Sequence, residues 1–129
     1  MTQTVIEKDQ FIHAKDNAHG WIHSIEEMLI AVSDESNKDA LQAIHESVLS
    51  VMVRDGWYQP GRPNEYGPEE YEILLSTGGP ALRIYGKLGR DDEPETAELQ
   101  MQDWFLPWQR YPTAEEPLLQ FARYFYFGG

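Results

Sequence analysis

The chain contains no cysteine. That excludes disulfides, thiolate nucleophiles and cysteine-rich zinc sites, and it fits a reducing compartment. Basic residues are also scarce: ten lysines and arginines stand against twenty-two aspartates and glutamates, a formal net charge of -12 over 129 residues. Such an imbalance makes direct contact with nucleic-acid phosphates or an anionic lipid surface unfavourable. No run approaches the ~18 apolar residues of a membrane span. The opening MTQTVIEKDQ lacks the basic start and apolar stretch of a signal peptide. The expectation is a soluble cytoplasmic protein with no membrane partner and no direct nucleic-acid partner. Internal repeats and low-complexity tails are missing too. What remains is a chain with 41% hydrophobic residues, enough for one globular domain over residues 1–129 that buries about two thirds of its unfolded surface.

From Phe11 to Val32, the apolar residues Ala14, Ala18, Trp21, Ile22, Ile25, Met28, Leu29 and Val32 recur at spacings of three and four, which predicts an amphipathic helix. Thr4 with Glu7, or Asp9, offers an N-terminal cap, and SDESN at 33–37 ends the helix. Ser36 and Asp39 then resemble the capping box of a second helix carrying Ala40, Leu41 and Ile44 and stopping near Glu46.

After Val48 the period changes to two: Leu49, Val51 and Val53 alternate with Ser50, Met52 and Arg54, as in a strand closed by Asp55 and Gly56. The proline- and glycine-rich WYQPGRPNEYGPEE reads as a long loop, either functional or an ordered surface loop held by Trp57, Tyr58 and Tyr66. Three further strands follow, Tyr71 to Ser76, Ala81 to Leu88 and Thr96 to Asp103. Thr77-Gly78-Gly79-Pro80 makes a tight turn, and Gly89 to Pro94 an exposed loop. In the last strand Ala97, Leu99 and Met101 oppose Glu98, Gln100 and Gln102, so one sheet face is core and the other polar. PWQRYP is assigned no element. Thr113 and Glu116 suggest a capping box for a short C-terminal helix through Leu118, Leu119, Ala122, Phe125 and Tyr126, or one that gives way to an aromatic tail before Gly128. The expected class is α+β: two N-terminal helices, a four-stranded antiparallel meander, and a C-terminal helix on one face of the sheet.

Few residues suggest chemistry. His19 and His23 have the four-residue spacing that lets two imidazoles share a metal, with Glu26 or Glu27 a turn later, but HGWIH lacks the glutamate of the helical zinc-protease motif. An exposed histidine pair is the simpler reading, and no metal or cofactor is expected. With twenty-two acids, paired carboxylates such as Glu70 and Glu72 lose diagnostic value. Ser76 lies on the wrong side of its glycines for a nucleophile elbow, and Thr77-Gly78-Gly79-Pro80 lacks the following lysine and helix of a phosphate loop. No catalytic residue is expected. Asp103, Trp104, Pro107 and Trp108 form a more unusual cluster, either a lid on the core or a contact surface.

The segments VMVRDGW, ILLSTGGPALRIYGKL and AELQMQDWFLPW and the FARYFYFG end resemble a family of small acidic uncharacterised proteins of bacteriophages, plasmids and other mobile elements. Gly56, Trp57, Thr77, Gly78, Gly79, Pro80, Arg83, Gln102, Asp103, Trp104, Pro107 and Trp108 carry the resemblance. It covers about two thirds of the chain, from the second helix onward, and implies a genomic setting rather than an activity.

Charge and setting together favour a non-enzymatic protein that docks on a basic protein surface, such as that of a nucleic-acid-binding host protein. Inhibition of a nucleic-acid-directed host defence is one form of this. Glu69, Glu70, Glu72, Asp91, Asp92, Glu93, Glu95 and Glu98 are the expected contacts. A competing expectation is a small-ligand or enzymatic module with an aromatic pocket of Trp57, Arg83, Tyr85, Trp104 and Trp108 anchored by Asp103. A third is an accessory domain that closes a homodimer through an aromatic patch.

Overall fold

A computed structural model describes residues 2–62, 67–77, 81–102 and 106–128, with side chains from Ala14 onward. Its elements are α1 (Thr2–Ser33), α2 (Ala40–Ser47), β1 (Ser50–Asp55), β2 (Pro68–Ser76), β3 (Ala81–Lys87), a 3-10 turn at Arg90–Asp92, β4 (Glu98–Gln102), β5 (Gln109–Tyr111) and α3 (Glu115–Ala122). The class is α+β. The strands form one antiparallel sheet in the order β1-β2-β3-β4-β5.

Alternation decides which side of the sheet is dry. Tyr71, Ile73 and Leu75 of β2, Leu82 and Ile84 of β3, and Leu99 and Met101 of β4 are buried on the helix side. Their neighbours Glu70, Glu72, Arg83, Tyr85, Glu98 and Gln100 alternate with them and face the other way. On α1, Ala14, Ala18 and Ile25 are buried, and Trp21, Ile22, Met28, Leu29 and Val32 pack against the core, as the three-four spacing predicts. Helix α1 lies against α2, α3, β3 and β4. Leu118, Leu119, Phe121 and Ala122 of α3 and Phe127 of the tail complete the core.

One contact shows how tightly this side closes. Tyr71 and Gly86 are cross-strand partners on β2 and β3. With no side chain at Gly86, the Tyr71 ring crosses β3, and its hydroxyl donates to the Thr96 carbonyl at 2.6 Å. Phe127 packs against the same ring, with centroids 4.8 Å apart. Burial pushes the Tyr71 phenol well above its ordinary range.

The structure corrects several expectations. A fifth strand, β5, forms within PWQRYP; it is three residues long and bracketed by Pro107 and Pro112, too short to show a period. Helix α1 starts at Thr2, so its backbone passes through the proposed caps at Thr4 and Asp9, whose side chains lie outside the described residues. Neither later capping box forms. Asp34, not Asp39, is the local acceptor, taking bonds from the Ser36 amide and hydroxyl at 3.0 and 2.7 Å in an Asx turn. Ala114 precedes α3, and the Glu115 carboxylate instead accepts from the Ala97 amide at 3.2 Å, tying the helix to the start of β4. Of the two expected forms of the C-terminal helix, the one that gives way to an aromatic tail is found: α3 ends at Ala122, and His45 of α2 holds the tail by donating to the Tyr124 carbonyl at 2.7 Å. The long loop is shorter than expected because Pro68, Glu69 and Glu70 join β2. Trp57 and Tyr58 do not hold that loop: both are exposed. Tyr66 and the Gly78-Gly79-Pro80 turn lie outside the described residues.

A Cβ at Gly86 would stand 2.8 Å from both the Thr96 carbonyl carbon and the Tyr71 ring. Gly86→Ala is therefore expected to destabilise the fold by about 3 kcal/mol in urea denaturation, chiefly through overpacking. The exposed Gly20, where an added Cβ meets nothing within 4 Å, should gain slightly from the same change.

Candidate functional site

The face of the sheet turned away from the helices carries a polar network. Register sets it up: Arg54 lies opposite Glu70, Met52 opposite Glu72, Glu72 opposite Tyr85, Leu74 opposite Arg83, and Arg83 opposite Gln100. Cross-strand neighbours of opposite charge then pair. Arg54 Nε donates to Glu70 Oε2 at 2.5 Å, and the Tyr85 hydroxyl donates to the other oxygen of the same carboxylate. Arg83 donates through Nη1 to Glu72 at 2.5 Å and through Nε to Gln100 at 2.7 Å.

The Arg83 guanidinium also sits against two rings, 5.1 Å from the Tyr85 centroid and 4.2 Å from that of Trp108, which precedes β5. The cation is thus hydrogen-bonded to Glu72 and Gln100 and lies over two aromatic rings. These groups line a cleft of about 560 Å³ together with Met52 and Val53. At the β5 side, Arg110 and Glu98 are 3.9 Å apart, a loose surface pair.

The Tyr85 hydrogen bond is the first cause holding the Glu70 carboxyl below its usual range; partial burial opposes it, and Arg54 and Lys87 add to it. The same bond to Glu70, with burial, raises the Tyr85 phenol.

A second feature lies at one end of the sheet, where β1 and β3 finish and β2 and β4 begin. The Leu88 amide donates to the Glu69 carbonyl, Gly89 to Glu93 and Glu95 to Lys87, each at 2.8 Å, and Leu88 bridges to Pro94. The 89–94 segment is therefore a tight protrusion from the β3–β4 hairpin. At its tip Asp91 and Asp92 adopt φ of 64° and 57°, left-handed values that aspartate tolerates better than most residues. Asp92 lies against Gly67, and the Glu69 carboxyl lies where a Cβ of Gly56 would stand. Asp55, Glu69, Asp91, Asp92, Glu93 and Glu95 gather at this end, with Lys87, Arg90 and the Glu70-paired Arg54 as nearby cations.

The eight expected contact acids therefore divide. Glu69, Asp91, Asp92, Glu93 and Glu95 meet at the acidic end. Glu70, at its border, and Glu72 are engaged by Arg54, Tyr85 and Arg83, while Glu98 stands near Arg110. The expected aromatic pocket is only partly assembled. Arg83, Tyr85 and Trp108 come together, but Trp57 is fully exposed beyond the end of β1, beside Asp55 and Glu69. Asp103 and Trp104 lie outside the described residues. His19 and His23 are exposed on α1, and His23 Nε2 is 2.9 Å from Glu27. Among the described residues, no three histidine, aspartate or glutamate side chains gather as metal ligands, and no helix is long and apolar enough to cross a membrane.

Sequence reasoning missed Arg54, Gln100 and Asp55 as members of these groups. Their polar positions on alternating strands were visible, but the register pairing Arg54 with Glu70 spans the 56–67 loop, whose length hides it.

No family model, curated protein or solved structure matches the chain.

Because the folded Glu70 carboxyl titrates below its unfolded value, its contribution to stability is present above the unfolded pKa and lost as pH falls through the folded one. The stability advantage of the wild-type chain over Glu70→Gln should therefore shrink as pH falls through and below the ordinary glutamate range in denaturant titrations. Tyr85→Phe, which removes the leading cause, should bring the Glu70 carboxyl back toward the ordinary glutamate range in a carbon-13 NMR titration.

Proposed function

We propose that this chain is a non-enzymatic acidic binding protein that docks on a basic protein surface through the acidic end of its sheet. The carrying observation is the convergence of Glu69, Asp91, Asp92, Glu93 and Glu95, beside Asp55, at the ends of strands separated in sequence. A hairpin tip closed by backbone hydrogen bonds presents Asp91, Asp92, Glu93 and Glu95 beside Glu69 and Asp55, the arrangement that favours steering and register over a cationic partner. The acids on the open face contribute differently: Glu70 and Glu72 are held by internal arginines, so they shape the surface rather than meet the partner's cations.

The resemblance to mobile-element proteins supplies the setting. In that setting the partner is a host protein whose lysines and arginines bind nucleic-acid phosphates, and docking inhibits it by occlusion. A second reading, a small-ligand site, draws support from the size of the open-face cleft and its two rings around Arg83.

The test is capture of the partner from the native host by the full chain over a salt series. The chain carrying Glu69→Lys, Glu93→Lys, Glu95→Lys, Asp91→Asn and Asp92→Asn is compared with it; asparagine at 91 and 92 respects the left-handed backbone. Wild-type affinity should fall steeply with salt, and the variant should bind on the order of a hundredfold more weakly. Salt-independent capture, or equal capture by the variant, would overturn the docking reading. A saturable tryptophan fluorescence response to a metabolite pool, lost in Trp108→Ala, would favour the cleft instead.

A further inference from the structure

The two edges of the sheet are unlike. Strand β5 is three residues long and bracketed by Pro107 and Pro112, the kind of short, proline-flanked edge that resists pairing. Strand β1 has six residues without proline or glycine. It is hydrogen-bonded to β2 on one side and, among the described residues, to no strand on the other. Along this edge, large apolar side chains also face solvent: Met52 is 60% and Val53 44% exposed, with Leu49 just before the strand and Trp57 just after it exposed as well. A free row of backbone donors and acceptors thus coincides with unburied apolar surface, and one added strand would satisfy both.

Charge decides between occupants. A second copy of this chain would bring a formal -12 against another -12. The end of β1, by contrast, runs into a groove lined by Arg54, Asp55, Trp57, Glu69 and Glu70; Arg54 is already paired with Glu70, so Asp55, Glu69 and the open aromatic face are what suit an incoming lysine or arginine. We infer that β1 accepts an extended segment of the basic partner as a sixth strand, apolar at alternate positions and cationic where it passes Asp55 and Glu69. This rests on the docking reading and adds its mode, main-chain pairing as well as charge.

The probe is a short synthetic peptide alternating valine with lysine, set beside the same peptide N-methylated at alternate amides, which keeps charge and side chains but removes donors. Binding of the first to the full-length chain should slow amide exchange within 51–54 by roughly tenfold or more, and the methylated peptide should bind about tenfold more weakly. Met52→Pro and Val53→Pro are made singly: adjacent N–H groups point to opposite sides of a strand, so one proline removes an outward donor while the other breaks a bond to β2. The proline variant that keeps the wild-type melting temperature should bind the unmodified peptide about tenfold more weakly.

Equal binding of both peptides, or full binding by the folded proline variant, would overturn the added strand while leaving electrostatic docking standing. Absence of any binding, or protection outside β1, would also overturn it. A dimer of the free chain in light scattering that the folded proline variant dissociates would assign the edge to a second copy and overturn the basic-segment occupant.

Discussion

The structure depends on one division of labour, that the sheet has a dry face and a wet one. Helices α1 and α3 lie on the side where Ile73, Leu82, Ile84 and Leu99 point, and the Tyr71 ring crosses Gly86 there to bond to Thr96. With the apolar surface of the helices committed to that side, the opposite face stays open and must satisfy its charges within the sheet. It does so through Arg54 with Glu70, and Arg83 with Glu72 and Gln100. Solvent-facing polarity on β2, β3 and β4 is therefore a consequence of core closure, and alone it is no sign of a binding surface.

That distinction separates acids that organise the protein from acids that remain available. A carboxylate bonded to a half-buried guanidinium is poorly placed to meet a partner, because leaving Arg83 would cost that cation its ion pair beside the Tyr85 and Trp108 rings. Among the described residues, no ion pair engages the acids of the hairpin tip. Their concentration beside the unprotected edge β1 couples a charged feature to an apolar and main-chain one, a combination that fits protein recognition better than solubility alone. The cleft around Arg83 lies next to that edge through Met52 and Val53, so a strand added to β1 would border it.

Much of the fold was legible in the sequence. The three-four spacing from Ala14 to Val32 and the alternation in EYEILLS and AELQMQ marked the buried positions, because periodicity reports burial directly. Helix ends were harder. Ser36 with Asp39 and Thr113 with Glu116 have the residues of a capping box, yet Asp34 accepts from Ser36 in the turn before α2 and Glu115 accepts from Ala97 near the start of β4, so neither caps its helix. Strand β5 was hidden because a strand of three residues carries no period, and it pairs only because β4 offers an edge. For the candidate site, the acids were visible individually. That Glu70 is paired with Arg54 depends on a register set across the 56–67 loop, and no local pattern encodes it.

The central claim is that the partner meets the acidic end and β1 rather than acids in general. Carboxyl footprinting, in which a carbodiimide couples an amine to accessible aspartates and glutamates, tests it most directly when the free chain and the captured complex are compared by mass spectrometry. Protection should fall on Asp55, Glu69, Asp91, Asp92, Glu93 and Glu95, while Asp16, Glu26 and Glu27 on the exposed side of α1 label equally in both states. Protection of the α1 acids with unchanged labelling at the sheet end would contradict the account.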